Sequence, residues 1–294
     1  MRLGFHVSIA GGLDKCVRRA VIRRCTTLQM FSGAPVQWAR PHISDEHFAA
    51  FADALAERDI APHFVHAKYL LNVSSPDREL RAKSVADLCE EVEIARKLRA
   101  AGVIIHLGSV GAEGAIEDGI ARVARAVDAA CEAVPDGPPV ILENSAGQGN
   151  IVGAEFEQLA AIVADCECPE RVRCCVDTAH AFGAGMALHT PDGADAMVAE
   201  IEATFGLDRL ALLHLNDSKV PFASGRDRHW HIGRGEIGRE GMARIANHPR
   251  LVHLPFVMET PGTEADDVSN MRRVRRIIRA ENRPPLPPLP AELR

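Results

Sequence analysis

Eight short runs of β-branched and apolar residues, each closed by a polar or glycine-containing turn, recur at even intervals along the 294-residue chain. They fall near residues 3–9, 26–32, 61–67, 103–108, 139–144, 172–177, 210–215 and 255–260. Three- and four-residue helical periodicity fills the intervals, most clearly over 77–101 and 116–134. Strands that alternate with helices run parallel through right-handed crossovers, and eight such units are the number that closes a barrel. The pattern predicts an α/β chain folded as a (β/α)8 TIM barrel. The alternative, an open doubly wound sheet, is disfavoured because the first turn, HVSIAGGLD at 6–14, lacks the G-x-G-x-x-G of a dinucleotide-binding sheet. A single barrel is expected over 1–282, followed by a proline-rich extended tail over 283–294, where PPLPPLPAELR has neither periodicity.

Hydrophobic residues at 47% and charged residues at 25% fit a folded chain with a substantial core. The opening MRLGFHVSIAGG has too short an apolar stretch for a signal-peptide core. No run approaches the ~18 apolar residues of a membrane helix. A cytoplasmic protein that does not engage membranes is therefore expected. The eight cysteines are scattered, which predicts reduced thiols rather than a disulfide framework. Cys166 with Cys168, and Cys174 with Cys175, lack the second spaced pair of a thiolate zinc site. A net charge of −6 has the wrong sign for a broad nucleic-acid-binding face, so any anion would have to be held by local basic loops or by bound metal.

Residue types that bind metal collect at the strand ends. His66 ends the third run, His106 the fourth, Glu143 the fifth, Asp177 the sixth, His214 the seventh and Glu259 the eighth. His180 follows Asp177 by three residues, and Asp227 and His229 lie on the loop after the seventh run. A lone histidine at a strand end is ordinarily a satisfied core residue, but nine imidazoles and carboxylates at one rim form a different pattern. All strand ends of a barrel meet at one face, and histidine with carboxylate suits zinc or manganese in sites open to water or substrate. Nine ligands divide among three metals; three divalent ions against four carboxylates leave about two positive charges, which suits a phosphodiester.

The segments VHAKYLLN (65–72), HLGS (106–109), ENSAGQG (143–149), CVDTAHAFGAG (175–185), HLNDSK (214–219), DRHWHIGRGEIG (227–238) and METP (258–261) together resemble the endonuclease IV family. HVSIAGG resembles the family's opening, so the likeness spans all but the tail. It implies a barrel with three zinc ions that cuts damaged double-stranded DNA on the 5′ side of abasic sites and removes blocked 3′ ends. By the same resemblance a first zinc is held by His66, His106 and Glu143, and a second by Glu143, Asp177, His214 and Glu259. His180, Asp227 and His229 hold the third, with manganese as an alternative occupant of one site. Glu259 and Glu143 are the candidate catalytic residues, Glu259 orienting or deprotonating the attacking water. Tyr69 and Leu70 stand where the family enters the duplex, and extruding an abasic nucleotide costs less than flipping an intact one. Lys219 and Arg228 are candidate phosphate contacts, in a basic rim expected to include Lys68, Arg226, Arg234 and Arg239. The family suggests a monomer.

The chain departs from the family pattern beside the site. Ala34-Pro35-Val36 precedes Gln37 and Trp38 where the family commonly has Asn-x-Arg, Ala179 replaces a cysteine, Leu107 a proline and Met186 a bulky residue. Grip on substrate, rather than chemistry, is where a difference is expected. The alternative function is a divalent-metal sugar isomerase or epimerase, for which the ligands His180, Asp227 and His229 would be superfluous. A DNA-damage binding protein with purely structural zinc would instead call for cysteine-rich sites.

Overall fold

Each expected run forms a strand. They are β1 (Arg2–His6), β2 (Thr27–Phe31), β3 (His63–His66), β4 (Val103–His106), β5 (Val140–Glu143), β6 (Val172–Asp177), β7 (Leu210–His214) and, last, β10 (Pro255–Met258). In this computed structural model, which describes residues 1–290, the strands close in the order β1-β10-β7-β6-β5-β4-β3-β2. Every barrel pairing is parallel. A second, antiparallel pair, β8 (Asp217–Ser218) with β9 (His229–Trp230), sits in the connection after β7 and is not expected from the sequence.

The crossovers are α1 (Leu13–Ile22), α2 (Asp45–Glu57), α3 (Arg78–Lys97), α4 (Ile116–Ala133) and α5 (Phe156–Asp165). Two helices, α6 (Thr178–Ala184) and α7 (Gly193–Ala203), separate β6 from β7, and α8 (Gly238–Ala246) and α9 (Glu264–Ile277) complete the ring. The starts are set by side chains that take up free backbone donors. Asp77 accepts from the N–H groups of Glu79 and Leu80 at 2.9 and 3.2 Å at the start of α3, and Asp266 accepts from the Thr263 N–H at 2.8 Å at the start of α9.

Two layers of apolar side chains hold the barrel. The outer layer lies between strands and helices, with Leu28, Met30, Val65, Leu88, Ile105 and Phe156 among its buried members. The inner layer comprises Phe64, Ile104, Ile141, Cys175, Leu212 and Val257. Strand side chains alternate faces, so each inner residue shares its face with the residue two positions later. Those later residues are His66, His106, Glu143, Asp177, His214 and Glu259. The inner apolar layer is thus the floor of the polar cluster above it. On the first two strands the floor is small: a Cβ on Gly4 would stand 1.8 Å from the Thr27 carbonyl oxygen, so the close approach of β1 and β2 requires glycine.

After α9 a short turn at Ala280–Asn282 leads to 283–290, which have no helix or strand. Their carbonyls are tied down by arginines: Arg275 donates to Pro284 O at 2.7 Å, and Arg24 to Pro287 O. The last part of the expected tail, 291–294, lies outside the described residues. Among the described residues no helix is long and apolar enough to cross a membrane, and all eight cysteines are free.

Candidate metal centre

The six strand-end residues and His180, Asp227 and His229 converge at the C-terminal mouth of the barrel. Three overlapping groups have potential ligand atoms within 4.8 Å of one another: His66, His106 and Glu143; Glu143, Asp177, His214 and Glu259; and Asp177, His180 and His229. Asp227 falls outside these groups, yet its Oδ1 lies 3.3 Å from His180 Nε2 and 3.2 Å from His229 Nε2. Glu143 is fully buried at the centre: Oε2 faces His66 Nε2 at 3.2 Å and His106 Nε2 at 3.7 Å, while Oε1 faces His214 Nδ1 at 2.9 Å and His180 Nδ1 at 3.4 Å.

Local structure explains how the residues after β6 and β7 arrive there. Asp177 ends β6 and also caps α6, its Oδ1 accepting from the His180 N–H at 2.9 Å, which fixes His180 one turn away on the same face. The loop carrying Asp227 and His229 is pinned by Asp217. Its carboxylate accepts from the N–H groups of Ser218, Gly235, Ile237 and Gly238 at 2.9, 2.9, 3.1 and 3.3 Å. Gly235 packs against β8 so closely that a Cβ would stand 2.2 Å from the Ser218 carbonyl oxygen.

Hydrogen bonds to the far ring nitrogens set which nitrogen points inward. His66 Nδ1 donates to Ala67 O at 2.6 Å and His180 Nδ1 to Asn144 O at 2.9 Å, leaving Nε2 of each as the free donor of an electron pair. His214 is turned the other way: its Nε2 donates to Gln29 Oε1 at 2.6 Å, so Nδ1 faces the carboxylates. Four polar residues absent from the sequence expectation thereby enter the site. Gln29 Nε2 donates to Glu259 Oε1 at 2.6 Å, and His6 Nδ1 lies 3.4 Å from the same oxygen. Asn216 donates to Asp177 Oδ2 at 2.6 Å and accepts from the Glu259 N–H at 2.7 Å, and Asn144 Oδ1 accepts from the Asp177 N–H at 2.7 Å. His6 ends β1 and is within reach of the same strand-end rule; Gln29 sits mid-strand and is uncharged, so nothing marks it.

The cluster's chemistry fits a bound cation. None of the ion pairs made by Glu143, Asp177, Asp227 or Glu259 involves lysine or arginine among the described residues; all are with histidine. Burying several carboxylates demands compensating positive charge. Burial pushes the Glu143 and Glu259 carboxyls up, but surrounding imidazoles, His214 foremost, outweigh it and hold both well below the usual carboxylate range. The buried nitrogens His180 Nε2 and His229 Nε2 make no hydrogen bond; the first faces an Asp227 oxygen and the second faces oxygens of Asp227 and Asp177, as metal ligands would. The arrangement fits a metal centre in donor type, density and charge.

The rim differs from expectation at two cations. Lys68 is buried, with its Nζ bonded to Trp38 O at 2.9 Å and Asp87 Oδ1 at 3.0 Å, so it offers nothing to solvent. Arg239 lies in the first turn of α8 rather than in a loop. Lys219, Arg226, Arg228 and Arg234 are exposed, and Lys219 Nζ rests 4.4 Å from the centroid of the Trp230 ring. Tyr69 is half exposed and Leu70 partly so, and Val36 is exposed on the neighbouring β2–α2 loop. A cavity of about 1280 Å³ runs beside the mouth between α1, α2 and that loop, touching the cluster at His6.

Comparison with known proteins gives the same fold and a narrower kinship. The family described as "Xylose isomerase-like TIM barrel" matches residues 25–281. A Cenarchaeum symbiosum protein named "Probable endonuclease 4" is 42% identical over 278 residues, covering 94% of this chain and 99% of its own. The crystal structure of endonuclease IV from Thermus thermophilus superposes with a TM-score of 0.82 at 35% identity, covering 94% of this chain and 98% of that one. A D-tagatose 3-epimerase-like protein superposes with a TM-score of 0.72 at 17% identity, covering 94% and 97%, a likeness of fold alone.

Proposed function

The chain belongs to the endonuclease IV family, and from that premise we propose that it is a zinc-dependent hydrolase cutting the phosphodiester 5′ to abasic sites in double-stranded DNA. Removal of blocked 3′ ends, action as a monomer and a cytoplasmic location belong to the same reading. The observation that carries it is the third ligand group, His180, Asp227 and His229, joined through Asp177 to the group of Glu143, His214 and Glu259. A sugar isomerase has no use for it.

His66, His106 and Glu143 would hold one zinc, Glu143, Asp177, His214 and Glu259 a second, and His180, Asp227 and His229 a third. Zinc there supplies Lewis acidity toward water and phosphate oxygens. The chain's own contribution is orientation. Gln29 holds His214 with its oxygen and Glu259 with its amide nitrogen, fixing both side chains relative to each other. Asn216 holds Asp177 and the backbone of Glu259 in the same way. Glu259 thus presents a carboxylate in a set position to orient the attacking water and accept its proton, while Glu143 keeps the three groups in register. Tyr69 and Leu70 enter the duplex where the missing base leaves a gap, and Lys219 and Arg228 contact phosphates.

The test is a nicking assay with metal analysis on one sample. Purified protein is expected to cut a duplex carrying one tetrahydrofuran abasic analogue on its 5′ side. An uncut duplex from fully metal-loaded protein, or turnover of a ketose instead, would overturn the proposal.

A further inference from the structure

The lysine of VHAKYLLN faces inward, and what it touches links two separate parts of the barrel mouth. Its side chain is fully buried, with Nζ 2.9 Å from the carbonyl oxygen of Trp38 and 3.0 Å from Asp87 Oδ1 on α3. The same Asp87 oxygen receives Arg40 Nη1 at 2.6 Å, and Arg40 Nη2 lies 2.9 Å from Oε1 of the buried Glu91. Trp38 and Arg40 belong to the β2–α2 loop, whereas Lys68 opens the turn that carries Tyr69. Two further contacts run between or onto these segments: the Tyr69 N–H donates to Pro35 O at 3.1 Å, and Lys83 Nζ lies 4.3 Å from the centroid of the Trp38 ring.

Buried ion pairs are weak evidence for stability, because apolar side chains of similar volume often hold a core as well. A buried network of charges instead favours the one geometry in which they are paired, among many that apolar packing would tolerate. Here the fixed geometry is the position of the Tyr69 turn against the β2–α2 loop. In it the Tyr69 ring stands edge-on to Phe31 and His66, with centroids 5.1 and 5.8 Å away, and remains 56% exposed toward the mouth.

We propose that Lys68 is a positioning residue that locks the β2–α2 loop to the Tyr69 turn through Asp87, so that this wall of the mouth is rigid before DNA arrives. The proposal rests on the reading above, in which Tyr69 meets the duplex. Pre-organisation lowers the ordering cost of binding and leaves the reacting atoms untouched. Lys68→Met retains the buried stem and leaves Asp87 paired with Arg40. With that variant KM for an abasic duplex is expected to rise about tenfold while kcat stays within about threefold, the pattern of a lost binding contribution. The salt dependence of binding is expected to keep its slope, whereas loss of a phosphate contact would reduce it by about one.

Chymotrypsin gives a readout without DNA. The clamped loop is expected to resist cleavage between Trp38 and Ala39, and Lys68→Met to be cut at that bond about tenfold faster, since proteolysis follows local opening. Mass analysis of the fragments identifies the bond. Should Lys68→Met not fold, Arg40→Lys loosens the same loop from its other end and is expected to give the same rise in KM and in cleavage after Trp38. Unchanged KM and loop cleavage, a salt slope reduced by about one, or a fall in kcat matching that in kcat/KM would each overturn the proposal. Failure of the unaltered protein to nick abasic DNA would remove the function and leave the coupling to the chymotrypsin measurement alone, where equal cleavage of the two proteins would refute it.

Discussion

Glu143 faces His66 with one carboxylate oxygen at 3.2 Å and His214 with the other at 2.9 Å, so a single side chain joins histidines from opposite parts of the barrel. Replacing it removes a charge common to two ligand groups. Glu143→Gln is expected to lower the zinc content of the purified protein and cut nicking by more than about 100-fold, beyond what loss of a residue that only supports ligands produces. Metal analysis beside the nicking rate checks this, and full zinc content with full activity would contradict the central role of Glu143.

Gln29 touches two candidate ligands and is not one itself. Its oxygen accepts from His214 Nε2 at 2.6 Å and its amide donates to Glu259 Oε1 at 2.6 Å. Gln29→Leu frees both side chains and leaves every ligand in place. Activity or zinc affinity is expected to fall about 10- to 100-fold, while Glu143→Gln acts on both more severely. A zinc titration followed by nicking at saturating zinc separates the two effects.

How much of this is legible in the sequence depends on the range of the interactions. Strand alternation marks His66, His106, Glu143, Asp177, His214 and Glu259, because period-two geometry makes a strand-end residue share the face of the inner core. His180 is visible from its three-residue spacing after Asp177. Gln29 is not, since an uncharged mid-strand amide gains its meaning only from His214 and Glu259, both far along the chain. Lys68 misleads for the same reason: a lysine beside a mouth reads as a phosphate contact until Asp87 on the next helix is seen to bury it. The β8–β9 pair escapes because each strand is two residues long, too short for any periodicity.

Protons occupy the cluster when metal is stripped, which gives a pH dependence of definite sign. Burial opposes charge on His180 and His214, but Asp177, Asp227 and Glu143 around the first, and Cys175, Glu259 and Glu143 around the second, raise both well above 6.5. A group raised on folding stabilises fully below its unfolded value and ceases to do so as pH climbs through its folded value. His6 and His106, lowered by burial, act oppositely and weaken the fold as pH drops below 6.5. Glu143 and Glu259, lowered from 4.5, lose their contribution only in stronger acid. Chelator-treated protein is therefore expected to lose Tm as pH rises above about 6.5, and the Tm gained on adding zinc to grow over the same rise as fewer protons compete for the ligands. Thermal melts with and without zinc at several pH values measure both; a stripped-protein Tm that rises with pH above 6.5 would contradict the upward shift of His180 and His214.

Tyr69 and Val36 stand exposed on two segments joined by the Tyr69 N–H to Pro35 O bond, 56% and 67% accessible, and under the proposed function they bear on substrate grip. Tyr69 buries less than half of its surface, mainly edge-on against Phe31 and His66, so Tyr69→Ala is expected to destabilise by no more than about 1.5 kcal/mol. Loss of an aromatic face that stacks in the duplex is worth about 1–3 kcal/mol, which predicts a KM raised about 5- to 150-fold on abasic DNA. By the family resemblance, Val36 stands where an arginine is expected. Val36→Arg adds a cation near Tyr69 without displacing any buried contact, so it is expected to tighten binding and steepen the salt dependence by about one phosphate contact. Binding measured across a salt series for both variants decides the matter. Unaltered affinity in Tyr69→Ala together with an unaltered slope in Val36→Arg would place the DNA track elsewhere on the mouth.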